Sequence, residues 1–137
     1  MDLVSVIIPY YKKRNFIKET LTSVINQSYD HLEILIIYDD TNLNDLEFLQ
    51  EISKLDNRIK IINNYKRLGA GPSRNKGIEH SNGKYIAFID ADDTWAPDKI
   101  KDQISFMRKN GHQISHSSYF IIDEKKKIIG QRKARTV

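Results

Sequence analysis

Residues 85–93 read YIAFIDADD, and this stretch joins a short apolar run to three closely spaced aspartates. Its first five residues, Tyr85 to Ile89, carry the large apolar side chains that are typical of buried strands. Three further runs have the same character: Val4 to Pro9, Glu33 to Tyr38, and Arg58 to Ile62. The sequence therefore predicts four buried β-strands.

Stretches with helical spacing separate these strands. Apolar residues recur there at intervals of three and four, Pro72 suits an early helical position, and Gly111 can end a helix. The four predicted helices cover Phe16–Ile25, Leu46–Leu55, Gly71–His80 and Pro97–Asn110. Alternating strands and helices predict an α/β fold, with right-handed βαβ units, a mostly parallel central sheet and helices on both faces. Beyond Gly111 we expect a strand over His112–Ile122 and a short strand at Ile128.

Composition excludes several classes of protein. The chain has 137 residues and no apolar run of the roughly 18 residues that a membrane span needs. It has no cysteine, which excludes disulfides, thiolate zinc sites and a cysteine nucleophile and suits a reducing compartment. We expect a cytoplasmic protein, positioned at the inner face of the membrane if it associates with lipid.

The net charge of +4 belongs to one end of the chain. Residues 124–137 hold six basic side chains and one acidic side chain, whereas residues 1–123 hold 16 basic and 17 acidic ones. A nucleic-acid-binding domain is expected to carry its excess charge on the folded body, so nucleic acid is not the predicted partner. We expect a core over residues 1–123 and a basic C-terminal tail or truncated element over 124–137, which an anionic membrane surface would attract.

Polar and aromatic residues follow three of the predicted strands. The first strand ends in Pro9-Tyr10-Tyr11, the second in Tyr38-Asp39-Asp40, and the fourth in Asp90-Ala91-Asp92-Asp93. Ligands of open α/β sheets bind at the carboxyl ends of the strands, so these residues predict one polar site.

The aspartates after the fourth strand predict a metal site. Asp90, Asp92 and Asp93 repel one another unless a cation or a raised pKa compensates. Oxygen ligands favour Mg²⁺, Mn²⁺ or Ca²⁺, and a site with few carboxylates recruits substrate phosphates. A purely structural alternative is a loop in which Asp93 or Thr94 caps the helix that follows.

The other strand ends predict nucleotide contacts. Tyr10 and Tyr11, beside three basic residues, are expected to be exposed and to stack on a base, and Asp39 can accept hydrogen bonds from a pyrimidine. Arg74 and Lys76 lie near a helix start, where they suit phosphate. The segment from Gly69 to Gly77 matches neither GxGxxG nor GxxxxGK[ST], which argues against a dinucleotide site or a P-loop.

Three linked segments resemble the family 2 glycosyltransferases of GT-A fold: VSVIIPYY, ETLTSVINQSYDHLEILIIYDD and NYKRLGAGPSRNKGIEHSNGKYIAFIDADDTWAPDKI. The similarity covers about the first 110 residues, the nucleotide-binding half of that family. Two departures are visible, because Lys12 replaces the usual asparagine and Tyr38-Asp39-Asp40-Thr41 replaces Asp-Asp-Gly-Ser. The resemblance implies nucleotide-sugar binding at Pro9, Tyr10, Tyr11, Asp39, Arg74, Asn75, Asp90, Ala91 and Asp92, with Asp92 and Asp90 on the metal.

The resemblance also implies an activity. It is inverting transfer of a sugar from a nucleoside-diphosphate donor, expected to be a UDP-sugar, to a saccharide or lipid-linked acceptor in surface polysaccharide synthesis, with Mn²⁺ or Mg²⁺ as cofactor. The catalytic base is expected beyond Val137, so the chain resembles a fragment of a longer enzyme.

Two alternatives belong to other functional classes. One is a non-catalytic module that binds nucleotide sugar or metal. The other follows from Phe88 to Thr94, FIDADDT, which also fits the DxDxT motif of haloacid-dehalogenase-like phosphatases. That family places the motif on its first strand, whereas here it follows the fourth predicted strand.

Overall fold

A computed structural model describes residues 1–134 of the chain. Residues 135–137, the end of the basic tail expected over 124–137, lie outside the described residues. The chain forms two compact units, one from Met1 to Pro97 and the other beginning at Asp98.

The first unit is built on a four-stranded parallel sheet with strand order β3-β2-β1-β4. Its elements are β1 (Val4–Tyr10), α1 (Ile17–Ile25), β2 (Leu32–Tyr38), α2 (Leu43–Ile52), a 3₁₀ turn (Ser53–Leu55), β3 (Ile59–Asn63), α3 (Ala70–His80) and β4 (Tyr85–Phe88). The chain moves in one direction from β1 to β3 and then returns to the other side of β1. Right-handed crossovers therefore place α1 and α2 on one face and α3 on the other. The predicted α/β fold is confirmed.

The two central strands form the core. All seven residues of β2 are buried, and β1 is buried apart from Pro9, which is half-buried. Ile7, Leu35 and Ile37 pack together with Ile62 beside them. Helix α3 approaches β1 so closely that a Cβ on Gly77 would lie 2.5 Å from Ile7 Cγ2.

The strand ends meet at one edge of this sheet. Tyr10 pairs in register with Tyr38, and Tyr38 pairs with Asn63. On the other side of β1, Phe88 pairs with Ile7, so β4 ends three residues earlier. Strands are added on one side of β1 up to β3 and on its other side at β4, so a binding crevice is expected at this change in strand order.

Two helix starts differ from the sequence prediction by more than one residue. Helix α2 begins at Leu43 rather than Leu46, because the Asn42 side chain accepts a hydrogen bond from Asp45 N and caps the first turn. The predicted start at Pro97 moves to Lys99, since the Pro97 carbonyl instead accepts a hydrogen bond from Ser28 N within the first unit.

The second unit contains helix α4 (Lys99–Asn110) and an antiparallel hairpin of β5 (Tyr119–Ile122) and β6 (Ile128–Arg132). The predicted strand over His112–Ile122 is wrong except for its last four residues. Residues 112–118 are rich in serine and histidine, and Ser115 and Ser117 bond to Gln103 and Lys99 instead of joining a ladder. Among residues 1–134, none of the helices has the length and apolar character that crossing a membrane requires.

Candidate active site

Three exposed aspartates form an acidic loop, residues 90–93, directly after β4. Asp90, Asp92 and Asp93 each place a carboxylate oxygen within 4.8 Å of the other two. Arg74 Nη2 lies 3.2 Å from an Asp90 oxygen. Lys13 Nζ lies 3.2 Å from an Asp92 oxygen. Partial desolvation of its carboxyl group, followed by the charges of Asp92 and Asp90, raises the pKa of Asp93. The loop therefore concentrates negative charge beside β1 and β4.

The donor atoms of the acidic loop suit a hard divalent cation. Carboxylate oxygens are the ligands that Mg²⁺ and Mn²⁺ prefer, and such ions keep positions for phosphate oxygens when the protein supplies only one or two carboxylates. The three side chains are exposed, which leaves their outer side open to a ligand. The donor set fits the predicted ion, and Asp90 and Asp92 as its ligands stay a prediction.

Helix α1 holds the acidic loop in place from below. Thr20 Oγ1, which is buried, donates a 3.0 Å hydrogen bond to the carbonyl of Ala91, the residue between Asp90 and Asp92. Just after the end of this helix, Gln27 Nε2 donates to the carbonyl of Ala96 at 2.7 Å. The sequence pattern did not predict these contacts. Polar residues on an otherwise apolar helix face were their only signal.

Asp39 lies at the end of β2 and is buried, with 3% of its surface exposed. Its Oδ1 accepts hydrogen bonds from Asn64 Nδ2 at 3.0 Å and from Leu68 N at 2.6 Å. Its Oδ2 accepts one from Gly69 N at 2.9 Å, and Arg67 Nε lies 3.2 Å from the same oxygen. The loop between β3 and α3 is thus folded around this carboxylate.

Tyr11 follows β1 and faces the same loop. The Arg67 guanidinium lies 3.4 Å from the centre of the Tyr11 ring, a cation–π contact. Arg67 therefore touches both Tyr11 and Asp39. The sequence analysis did not single it out, because nothing in the local pattern places it between residues that are 28 and 56 positions away.

The expectation that Tyr10 and Tyr11 are exposed is wrong for Tyr10, and Tyr11 is half-buried. The Tyr10 side chain is fully buried, its ring stacks on Tyr38 with centroids 5.9 Å apart, and its hydroxyl donates to Asp45 Oδ2 at 2.8 Å. Tyr10 is the last residue of β1, so strand alternation turns its ring inward, whereas Tyr11 lies beyond the strand. Burial and the bond to Asp45 raise the pKa of Tyr10, so the phenol stays neutral. Tyr10 therefore packs beneath the strand ends that form the site and is not exposed to a ligand.

The other predicted residues lie around this edge. Pro9 is half-buried in β1, and Ala91 is the buried residue within the acidic loop. Arg74 reaches the acidic loop from α3, and Asn75 is exposed beside it. Lys76 turns elsewhere, since its Nζ donates to the carbonyl of Asn63. An aromatic ring, a buried carboxylate, an arginine and an acidic cluster thus share one edge of the sheet.

This arrangement agrees with the comparison with known families. The family described as "Glycosyl transferase family 2" matches residues 5–136. The chain belongs to glycosyltransferase family 2. The phosphatase alternative is thereby excluded, since the match extends over nearly the whole chain.

Two curated relatives of this family 2 glycosyltransferase are informative. It is 38% identical over 120 residues to TuaG of Bacillus subtilis (strain 168), whose name places it provisionally in teichuronic acid biosynthesis; the match covers 88% of the chain and 48% of TuaG. It is 37% identical over 121 residues to WfgD of Escherichia coli, named a UDP-Glc:alpha-D-GlcNAc-diphosphoundecaprenol beta-1,3-glucosyltransferase, with 88% of the chain and 47% of WfgD covered. The family 2 chain spans about half the length of both relatives.

A solved structure supports the GT-A prediction for this glycosyltransferase. The mannosyltransferase PcManGT from Pyrobaculum calidifontis, in complex with GDP-Man and Mn²⁺, matches with a TM-score of 0.73 and 18% identity. The match covers 90% of the chain and 36% of PcManGT. At this identity the likeness shows the shared fold.

Proposed function

We propose that this glycosyltransferase binds a UDP-sugar with Mn²⁺ or Mg²⁺ at the carboxyl edge of its parallel sheet and transfers the sugar, with inversion, to a saccharide or lipid-linked acceptor. The observation that carries the proposal is the shared edge, where Tyr11 and Asp39 lie on one side and Arg74 with the acidic loop on the other. An aromatic ring and a buried hydrogen-bond acceptor suit a nucleobase. An arginine and carboxylates suited to a metal match a diphosphate.

Each residue has a separate part in the proposal. Tyr11 stacks on the nucleobase, and Asp39 accepts a hydrogen bond from its edge. Arg74 approaches the diphosphate, and Asn75 is the next residue of the same helix. Asp90 and Asp92 hold the cation, whose positive charge would stabilise the departing nucleoside diphosphate. Pro9 and Ala91 shape the backbone at the two sides of the subsite.

The transfer step makes one bond and breaks one bond. The acceptor oxygen attacks the anomeric carbon as the bond from that carbon to the diphosphate oxygen breaks, and the acceptor proton passes to a base. We propose that this base, like the acceptor site, is supplied by a part of the enzyme outside the described residues. A UDP-sugar and a polyprenol-linked acceptor are proposed because the name of WfgD states that pair.

Calorimetric titration with UDP tests donor binding. We expect UDP to bind in Mn²⁺ and to bind at least about tenfold more weakly in EDTA, a difference of about 1.4 kcal/mol. Asp92→Asn should remove most of this metal dependence, whereas Asp30→Asn, the same change at an exposed site before β2, should retain it. Equal affinity with and without metal would contradict the metal assignment.

The assignment of Asp39 to the nucleobase has its own test. Asp39→Ala should weaken UDP binding while leaving its Mn²⁺ dependence intact, because Asp39 lies with Tyr11 rather than in the acidic loop. A parallel titration with GDP measures the base preference. GDP binding tighter than UDP would contradict the uridine assignment while leaving a nucleotide site in place.

A further inference from the structure

Arg67 occupies the space between the two residues that the proposed function assigns to the base. Its guanidinium lies 3.4 Å from the centre of the Tyr11 ring, and its Nε lies 3.2 Å from Asp39 Oδ2. A planar group is thus already stacked on Tyr11 and already paired with Asp39. These are the two contacts, one ring face and one carboxylate, that a bound base would make.

The hydrogen-bonding capacity of Asp39 explains why the two occupants compete. An ionised carboxylate offers about four lone-pair positions. Three are taken by Asn64 Nδ2 and by the backbone N–H groups of Leu68 and Gly69. Arg67 Nε lies closest to the oxygen that has accepted only one of these bonds. A donor on a base needs the position that Arg67 faces.

The partners of Asp39 differ in how easily they can leave. Asn64 is a buried side chain that also donates to Ser73 Oγ, and the two N–H groups belong to the backbone that leads into α3. The Arg67 side chain is 49% exposed and is attached through a flexible stem. Asp39 is buried and the Tyr11 ring is half-buried, but the guanidinium that contacts both is half-exposed, so water can solvate it as these two contacts break. Arg67 is the partner that can be displaced.

We propose that Arg67 holds the base subsite in the ligand-free chain and that a uridine nucleotide binds only as the guanidinium leaves Tyr11 and Asp39. The inference rests on the proposed function and adds a residue that sets the affinity of its base subsite. The measured affinity is then the intrinsic affinity reduced by the fraction of molecules in which Arg67 has moved away.

Removal of the Arg67 side chain should change the affinity for UDP in an unusual direction. UDP is an anion, so removal of a nearby cation should weaken its binding through the loss of electrostatic attraction. If Arg67 must be displaced, its removal should strengthen binding instead. Lys66 provides a matched control, because it is the adjacent exposed cation on the same loop and lies outside the proposed base subsite.

Titration of UDP in Mn²⁺ into the 137-residue chain compares the wild type with R67A and K66A. We expect R67A to bind UDP about three- to tenfold more tightly than the wild type, from the loss of one ion pair and one cation–π contact. K66A should bind as the wild type does or slightly more weakly. Equal or weaker binding by R67A would overturn the role of Arg67 while the proposed function stands. No UDP binding by either the wild type or R67A would contradict the proposed function and the Arg67 inference together.

A second measurement observes the displacement directly. The ¹⁵N resonance of Arg67 Nε, assigned by its absence from R67A, should shift as UDP saturates the wild type, because the guanidinium leaves the Tyr11 ring. An unchanged resonance at saturation would overturn the inference. The melting temperature of R67A, compared with that of K66A, verifies that both variants are folded.

Discussion

Lys12 shows how a single residue can be at odds with its backbone. It lies in the loop after β1 with φ of +51°, in the left-handed region that asparagine and glycine adopt more readily than lysine. The family 2 pattern that this sequence resembles usually has asparagine at this position. The departure noted in the sequence therefore falls at a position where the backbone favours the usual residue.

Lys12→Asn should therefore stabilise the chain. Relief of part of the left-handed cost predicts a gain of about 0.5–1 kcal/mol, which thermal unfolding would detect as a rise of a few degrees in Tm. Lys12→Ala removes the same charge but keeps a side chain that disfavours this φ, and it should not be stabilising. An equal gain from both variants would attribute the effect to charge rather than to backbone conformation.

Individual residues differ in how far the sequence reveals them. Asp39 and Asp92 were predictable, because each follows an apolar run and strand ends collect ligands. Tyr10 was misplaced because a tyrosine at a strand end can point either way, and its partner Asp45 lies 35 positions away. Arg67 could not be found, since its position depends on how the loop after β3 folds back over β1.

At the scale of elements, α1 does more than cover the sheet. Besides its apolar face, it bonds through Thr20 and Ser23 to the backbone of Ala91 and Trp95, and Gln27 just after it bonds to Ala96. These bonds fix the acidic loop on a rigid helix. The periodicity of α1 predicted the helix, but the partners of its polar side chains depend on tertiary structure.

Thr20→Val tests this support, with Thr22→Val as its control. Valine at position 20 leaves the buried Ala91 carbonyl without its donor, which should cost about 1–3 kcal/mol of stability and weaken Mn²⁺-dependent UDP binding. The exposed Thr22 hydroxyl donates to the Lys18 carbonyl one turn away on the same helix, so its loss should matter little. Thr20→Ser should restore both properties. A Thr20→Val chain that loses stability but keeps normal Mn²⁺ dependence would limit Thr20 to a structural role.

The arrangement of the whole sheet was only partly predictable. Alternating strands and helices predict a parallel sheet, yet several strand orders satisfy the same alternation. The observed order depends on which strand is buried on both faces: the β-branched runs of β1 and β2 lie at the centre, and β4, with Ile86 and Phe88 exposed, lies at an edge. The position of β4 on the free side of β1 then brings the acidic loop to the residues that follow β1, where Lys13 contacts Asp92.

Glu33 connects neighbouring strands at the amino ends of the sheet, opposite the site. This buried carboxylate on β2 accepts hydrogen bonds from Ser5 Oγ on β1 and from Asn82 before β4, and Lys60 Nζ on β3 lies 4.0 Å away. One side chain therefore links three strands and the loop that leads into β4. Burial alone would raise the pKa of Glu33, but the bonds from Asn82 and Ser5 outweigh burial and lower it.

The lowered pKa determines how the stability of the sheet should depend on pH. A carboxylate whose pKa is lower in the folded state stabilises fully above its unfolded value, about 4.3, and loses that contribution as the pH falls through the folded value. Glu33→Gln should therefore be destabilised at pH 7, by about 1.5–3 kcal/mol for the lost charged hydrogen bonds, with a deficit that shrinks below about pH 4. Urea unfolding of both chains from pH 7 to pH 3 measures this difference, and exposed Glu79→Gln should follow the wild type. A deficit that stayed constant down to pH 3 would mean that packing, and not the ionised carboxylate, holds this edge of the sheet.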